Sequence, residues 1–303
     1  MLIVIEQVCL LLAFAAVGYL LSKTKIANAD HSKLLSVICL YIFLPSKVFN
    51  TFATKFTPTY LSQYYPLLIG SAAILTAMAL VAIPVSRLLT KNAYMRNVYH
   101  YSLTISNYGY VGYALAEGVF GTDVLMDVMM FAFPVCLYTY TIGYSMLTGG
   151  KKSFKKLLNP VTLAMVLGAV VGLSGITMPS AVNSFLSKSA ACMSPCSMLL
   201  MGIVISQFSF KELLSQKACY VIVLMRLLVL PISVVLVLRL LGLTMLELPA
   251  IMFLAMPSSM NTIVFSKLME QDCKPGAAMA FISSILCCIT IPLCLALFGY
   301  AAG

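Results

Sequence analysis

Two short polar stretches interrupt apolar regions of this sequence. The first reads SNYGYVGYALAEG at 106–118 and contains Asn107, Gly109 and Gly112. The second reads MPSSMNTIVFSK at 256–267 and contains Pro257, Ser258, Ser259, Asn261 and Thr262. Proline removes a backbone donor and clashes with the preceding helical turn, and glycine weakens a helix. Both stretches are therefore predicted to break a helix near its middle.

Such breaks could bind a small anion. The N-terminus of a helix carries unpaired N–H groups and a partial positive charge. A break in a membrane helix places such an N-terminus, and with it a site for an anion, at the centre of the membrane. Asn107 and Asn261 each offer two donors and one acceptor, enough to orient a carboxylate or to brace the two stretches against each other. The alternative is that the small and polar residues only permit close helix packing. Two interruptions at corresponding positions favour the anion site.

The composition indicates that these stretches lie in a membrane protein. The chain has 303 residues, of which 61% are hydrophobic and 9% are charged, whereas a soluble domain carries about 25% charged residues. The net charge of +10 comes from short basic clusters between apolar runs, which is typical of loops at a membrane surface. The expected partners are therefore membrane lipid and a small solute, with no nucleic acid.

Ten stretches are long and apolar enough to cross a bilayer, which requires about 20 residues. They are 1–22, 34–52, 64–89, 98–119, 124–147, 157–177, 181–208, 217–241, 248–268 and 277–302. All are predicted to be helices, because an isolated strand leaves its backbone unpaired in lipid. The first is expected to be a retained span rather than a signal peptide, since it lacks a basic start. The predicted fold class is an all-α membrane protein.

The Lys and Arg residues favour one side of this arrangement. Of the 19 such residues, fourteen fall in odd-numbered connections between spans and four in even-numbered ones, while Arg226 lies within a span. Cytoplasmic loops are enriched in Lys and Arg. Both termini are therefore predicted to lie outside the cytoplasm, in a protein that crosses the plasma membrane many times.

The chain is predicted to consist of two related halves. A basic linker, GGKKSFKK at 149–156, separates a first half at 1–148 from a second half at 157–303. Three pairs of residues match between the halves at a near-constant separation: Pro45 with Pro195 at 150 residues, and Gly18 with Gly172 and Asn107 with Asn261 at 154 residues. A constant separation is typical of an internal duplication. Because each half has five spans, the two repeats would be inverted relative to each other.

Four motifs resemble the auxin efflux carrier family, which includes the plant PIN proteins and bacterial carriers for malate and malonate. The motifs are YIFLPSKVF at 41–49, SNYGYVGYALAEGVFG at 106–121, NPVTLAMVLGAVVGL at 159–173 and MPSSMNTIVFS at 256–266. The resemblance covers the whole chain in the number and order of spans. It implies two inverted repeats of five helices, broken crossover helices in spans four and nine beside the substrate site, an organic-anion substrate, and alternation between inward-open and outward-open forms.

The resemblance also implies roles for individual residues. The positions that match the family motifs are Asn107, Gly109 and Gly112 in span four and Pro257 and Asn261 in span nine. Pro45 and Pro195, in spans two and seven, are expected to be hinge positions of the crossover region. One position departs from the family pattern, because Ala114 stands where the fourth-span motif usually has a proline. The first break would then depend on Gly109 and Gly112 alone.

Three charged residues of the spans have two interpretations each. Lys47 could attract an anion as part of the substrate site, or its side chain could extend to the outer surface near Lys55. Arg226 could hydrogen-bond backbone carbonyls as a structural contact, or serve the anion pathway. Glu117 is expected to be a solvated residue at the outer end of span four rather than a proton carrier.

These observations predict a secondary transporter for a small organic anion, such as a carboxylate or an auxin-like acid. An anion channel or a membrane sensor with the same fold is the alternative, because broken helices also line pores. No catalytic motif such as His-Glu-x-x-His or Gly-x-Ser-x-Gly occurs in the sequence, so an enzyme is not expected. No cofactor or metal is predicted. Coupling to sodium or protons, and assembly as a homodimer, are left open.

Overall fold

The computed structural model describes residues 2–149 and 159–300, and within these ranges every regular element is a helix. Residues 150–158 lie outside the described residues, so the predicted linker at 149–156 is described only at Gly149. The one strand-like feature in the described ranges is an isolated antiparallel bridge between Ser106 and Ser258.

The described part of the first half contains seven helices. They are α1 (Leu2–Lys23), α2 (Ala29–Ile38), α3 (Leu44–Lys55), α4 (Pro58–Leu89), α5 (Ala93–Thr104), α6 (Tyr113–Tyr138) and α7 (Tyr144–Leu147). A π-helical turn at Cys39–Phe43 joins α2 to α3 directly before Pro45, whose missing N–H disturbs the regular hydrogen-bond pattern. Another at Thr139–Gly143 joins α6 to α7.

A sharp break divides the long helical stretch Tyr108–Leu147. Its 40 residues would extend about 60 Å as one helix, about twice the thickness of the hydrocarbon core. Gly121 interrupts it with φ 84° and ψ −176°, a conformation open to glycine because it lacks a Cβ. The interruption lies between the predicted spans four and five, so the sequence located this boundary correctly.

The described part of the second half contains eight helices. They are α8 (Pro160–Ser174), α9 (Ser180–Ile205), α10 (Phe210–Leu214), α11 (Lys217–Leu224), α12 (Leu230–Leu240), α13 (Glu247–Leu254), α14 (Asn261–Leu268) and α15 (Lys274–Leu297). A π-helical turn at Met225–Val229 makes α11 and α12 one continuous segment. In contrast, α13 and α14 are separated by a non-helical stretch at 255–260.

Seven helical segments in the described ranges have the length and apolar composition needed to cross a membrane. Of two shorter apolar helices, Pro160–Ser174 falls within the predicted span six, and Thr244–Leu254 overlaps the start of the predicted span nine. Large apolar side chains such as Ile69, Leu88 and Leu240 are exposed on the outside. A surface of this kind suits lipid rather than water. The architecture is therefore that of a helical protein that passes through the membrane many times.

Glycines bring two pairs of helices into close contact. In the α1–α9 pair, a Cβ on Gly18 would lie 2.8 Å from the Leu199 carbonyl carbon, and one on Gly202 would lie 2.6 Å from the Tyr19 nitrogen. Lipid supplies no hydrophobic force between helices, so close packing of this type holds membrane helices together.

The α3–α8 pair is built in the same way. A Cβ on Gly168 would lie 2.7 Å from the Phe49 carbonyl oxygen. One on Gly172 would lie 2.6 Å from the carbonyl oxygens of both Phe52 and Phe56. In both helix pairs, glycines of the second half face the backbone of a helix in the first half, so these two contacts join the halves.

Candidate functional site

The two predicted breaks meet inside the protein. The helix α5 ends at Thr104, and α13 ends at Leu254. The stretches that follow run antiparallel, with Ser106 opposite Ser258. The Asn107 backbone N–H donates to the Pro257 carbonyl oxygen at 2.8 Å. Each broken helix thus supplies a hydrogen-bond partner to the other, as non-helical backbone requires at membrane depth.

Asn107 stands where the chain becomes helical again after the first break. Its carbonyl oxygen accepts from the N–H groups of Val111 at 3.0 Å and Gly112 at 3.2 Å, within the π-helical turn Tyr108–Gly112. Its side chain is 4% exposed, and its Nδ2 has no hydrogen-bond partner among the described residues. The hydroxyls of Ser106 and Ser258 are buried and unpartnered in the same way.

Unpartnered buried polar groups are uncommon, because each costs about 1–3 kcal/mol of desolvation. Two of these three belong to neighbouring residues, Ser106 and Asn107, and the third belongs to Ser258, which pairs with Ser106 across the crossing. Their clustering is a property of the crossing rather than of either helix. A polar ligand is one way in which such groups gain partners.

Asn261, the predicted counterpart of Asn107, has partners. Its Nδ2 donates to the Tyr101 hydroxyl at 2.9 Å, and its backbone N–H donates to Ser259 Oγ at 3.3 Å. The Thr262 hydroxyl donates to the Ser259 carbonyl at 3.0 Å. Asn261 therefore ties the second break to α5. The two asparagines occupy corresponding positions in sequence but are not in equivalent environments.

The remaining backbone of the second break is held by α15. The Ser258 N–H donates to Ser283 Oγ at 2.9 Å. Ser283 in turn donates to the Met279 carbonyl of its own helix at 2.5 Å. Through this chain, Ser258 is fixed to a long, buried helix, while its hydroxyl has no partner in the described residues.

The two glycines of the first stretch differ in their surroundings. A Cβ on Gly112 would lie 3.2 Å from Met256 Cγ and 3.4 Å from the Met252 carbonyl oxygen, whereas one on Gly109 would lie 3.8 Å from Leu44 Cδ2. A side chain at 112 would therefore be crowded, whereas there is space at 109. The break itself lies at 105–107, so it does not depend on the proline that Ala114 replaces.

A small cavity borders the crossing. The cavity in contact with Val111 and Pro257 has a volume of about 10 Å³ and is lined mainly by apolar side chains. A volume of this size holds at most about one water molecule. This cavity is therefore too small for an organic anion.

A larger polar cavity lies between α3, α6 and α9. Its volume is about 230 Å³, and its lining includes Lys47, Asn50, Lys55 and Glu117. Lys47 Nζ forms an ion pair with the Glu117 carboxylate, and the Lys47 side chain is 11% exposed. Lys47 shares this cavity with Lys55, and its role in binding an anion stays a prediction. Glu117, expected to be solvated, is 39% exposed and holds Lys47 within the protein.

One end of this cavity approaches the π-helical turn that follows the first break. Leu44 lies one turn before Lys47 on α3, and its side chain is the one nearest to Gly109.

The predicted hinge residues also belong to this region. Pro45 follows the π-helical turn that α9 packs against, while Pro195 lies within α9, which continues as a helix through it.

Arg226 lies fully buried beside the ends of both broken helices. Its exposure is 0%. Its Nη1 donates to the Leu103 carbonyl at 2.5 Å, and its Nη2 donates to the Phe253 carbonyl at 3.3 Å. The first interpretation of Arg226, that it bonds backbone carbonyls, is thus confirmed.

Sequence reasoning missed Tyr101 as a part of this region. Its side chain is fully buried, and its hydroxyl accepts from Asn261, 160 residues away. Tyr108 also packs here, with its ring 5.5 Å from that of Phe253. Tyrosines are common in membrane spans as packing and interfacial residues. No local signal separates these two from the other tyrosines of the chain.

The fold and the crossing define a multi-pass membrane protein with paired helix breaks in its interior. Comparison with known proteins agrees with this class. A family model described as "Membrane transport protein" matches residues 3–156 and 150–295. An uncharacterized transporter of Methanocaldococcus jannaschii is 23% identical over 301 residues, which cover 95% of this chain and 96% of that protein. The chain belongs to the membrane transport protein family, the auxin efflux carrier family that its motifs resemble.

Proposed function

We propose that the protein is a secondary transporter that moves a small organic anion across the plasma membrane by alternating access. The substrate binds where the two broken helices cross. The observation that carries this proposal is the group of unpartnered polar atoms at the crossing: Asn107 Nδ2 and the hydroxyls of Ser106 and Ser258.

The charge distribution favours an anion. The helical segments that begin after the breaks, at Tyr108 and Asn261, direct their N-terminal N–H groups and partial positive charge towards the crossing. Asn107 Nδ2 adds two N–H donors without a partner in the described residues. A carboxylate accepts such bonds and donates none when ionised. A monocarboxylate, a dicarboxylate or an auxin-like acid fits this chemistry.

We further propose ten spans arranged as two inverted repeats of five, with both termini outside the cytoplasm. The glycine contacts support this arrangement. An inverted repeat relates span one to span six and span two to span seven. It therefore relates a contact between spans one and seven to a contact between spans six and two. These are the α1–α9 and α3–α8 pairs, each built on glycines against backbone. A repeat axis would exchange them.

The polar cavity gives the anion a route. A carboxylate that enters it would compete with Glu117 for Lys47, one helical turn from the residue that contacts Gly109. The cavity that Pro257 lines is only about 10 Å³, so in this proposal the substrate reaches its site after a change of conformation. A carrier works in this way, whereas an open channel needs a continuous pore.

Uptake of radiolabelled carboxylates and indole acids into proteoliposomes tests the proposal. A hydrogen bond to a charged group contributes about 1.5–3 kcal/mol, so Asn107→Ala is expected to lower uptake efficiency about 10–100-fold. Asn261→Ala should also lower uptake, because it releases the second break from Tyr101. Asn183→Ala, at an exposed position of α9, is the matched control and should transport normally.

Folding must be checked independently of transport. Each variant should elute as a single species from size exclusion and melt as one transition in detergent. Normal uptake by both folded variants, Asn107→Ala and Asn261→Ala, would refute a substrate site at the crossing. Repeating the assay with sodium replaced by choline, and at several pH values, would identify the coupling ion.

A further inference from the structure

The C-terminal ends of two half-helices converge on one side chain. Leu103 is the residue before the last of α5, and Phe253 is the residue before the last of α13. The carbonyl oxygens of both residues accept hydrogen bonds from the Arg226 guanidinium. Its carbon also lies 5.6 Å from the centre of the Phe253 ring. Arg226 is on neither broken helix but in the π-helical turn between α11 and α12.

These carbonyls require a cation. The last four carbonyls of a helix have no partner within it, and the C-terminus carries about half a negative charge. Two converging C-termini therefore amount to about one negative charge in the interior of a membrane protein, where no bulk water screens it. A single guanidinium offsets this charge, and its planar fork reaches two acceptors at once.

No acidic side chain of the described residues forms an ion pair with Arg226. Among the described residues, its polar contacts are the two backbone carbonyls, and none of the ion pairs includes it. Half-helix C-termini and unwound carbonyls coordinate sodium in many carriers. In this protein the Arg226 guanidinium binds carbonyls of this kind.

We propose that the ends of α5 and α13 form a cation site that Arg226 fills permanently as a positioning residue. The guanidinium holds the two ends together and cancels their negative charge. The partial positive charges at the N-termini of the helices that follow then attract the anion without being offset by this negative charge. The effect on transport rests on the proposed function, whereas the existence of the cation site does not depend on it.

Chemical rescue tests the site. Arg226→Ala removes the head and leaves a space that free guanidinium can occupy. The variant is expected to melt several degrees below the wild type in potassium chloride. About 10 mM guanidinium chloride should recover at least half of this loss in a saturable manner, although guanidinium normally weakens folded proteins. Arg87→Ala, at an exposed position of α4, should show neither the loss nor the recovery.

A second variant covers the case in which Arg226→Ala does not fold. Arg226→Lys keeps the charge but replaces the fork by a single ammonium, so it should fold with an intermediate melting temperature. Guanidinium should not stabilise it, because the ammonium occupies the site. An unchanged melting temperature in Arg226→Ala, or a loss that guanidinium does not recover, would overturn the cation site. The same would follow if guanidinium raised the melting temperature of Arg226→Lys.

The melting experiment is separate from transport. If wild-type proteoliposomes take up no organic anion but guanidinium rescues Arg226→Ala, the proposed function fails and the cation site stands. If uptake is normal in the wild type and rescue is absent, the cation site fails alone. Sodium chloride at the same concentration is a further probe, and recovery by sodium would identify a site that accepts small cations generally.

Discussion

Gly172→Ala tests how strongly the α3–α8 contact holds the protein together. Gly172 lies in the last turn of α8, where an added Cβ would be 2.6 Å from the carbonyl oxygens of Phe52 and Phe56. Ordinary van der Waals contact begins at about 3.4 Å, so the helices must separate by about 0.8 Å, the difference between the two distances. Both obstructing atoms belong to the backbone and cannot turn aside as a side chain would.

The expected loss of stability follows from two opposing effects. Overpacking a close contact costs about 1–3 kcal/mol. Alanine is favoured over glycine within a helix by about 0.5–1 kcal/mol. The first effect is the larger, because moving α8 away also weakens the contact that Gly168 makes with Phe49. A net loss of about 1–2 kcal/mol in the free energy of unfolding is therefore expected.

A thiol-reactive dye is a suitable assay, since the protein has no tryptophan and has ten cysteines. Buried residues such as Cys219 and Cys294 would react as the purified protein unfolds in detergent. Gly70→Ala is the matched control, because the three atoms nearest to its Cβ all belong to the side chain of Leu246, which can move. Gly172→Ala should melt several degrees below this control. Equal melting temperatures would refute the argument that backbone contact sets the spacing of α3 and α8.

Two further predictions concern other parts of the molecule. Arg239→Ala leaves the buried Glu247 carboxylate without its cation. It should therefore reduce the free energy of unfolding by about 3 kcal/mol. The double variant Arg239→Ala, Glu247→Leu should recover most of this loss in the same melting assay. Gly112→Ala should lower both the melting temperature and the uptake rate, because the added methyl group crowds Met256. Gly109→Ala has space for the methyl group and should change the melting temperature little. An equal effect of the two variants would contradict the packing described at the crossing.

Much of the secondary structure could be predicted from local patterns. Apolar runs located the helical segments, and the boundary between spans four and five fell at the break that Gly121 makes. The positions of the interior breaks were also predictable from the asparagine, glycine and proline residues of the two stretches. In lipid each segment must satisfy its own backbone groups, so such local rules act strongly.

The sequence located the first break less well in detail. Gly109 and Gly112 were expected to cause it, yet the non-helical residues are 105–107 and the glycines lie in the π-helical turn that follows. The cause is tertiary. The Asn107 N–H donates to the Pro257 carbonyl in the second break, and this bond replaces one that α5 would otherwise make.

Partners far apart along the chain were decided by the tertiary structure alone. Lys47 pairs with Glu117, 70 residues later, and Arg226 bonds the Leu103 carbonyl, 123 residues earlier. Composition and spacing could show that such side chains lie in the membrane and need partners, but not which ones. The sequence by itself determined where helices form and roughly where they are interrupted, because hydrogen bonding within a helix is local. Packing of the helices decided which polar groups meet, since those contacts join residues that no local pattern relates.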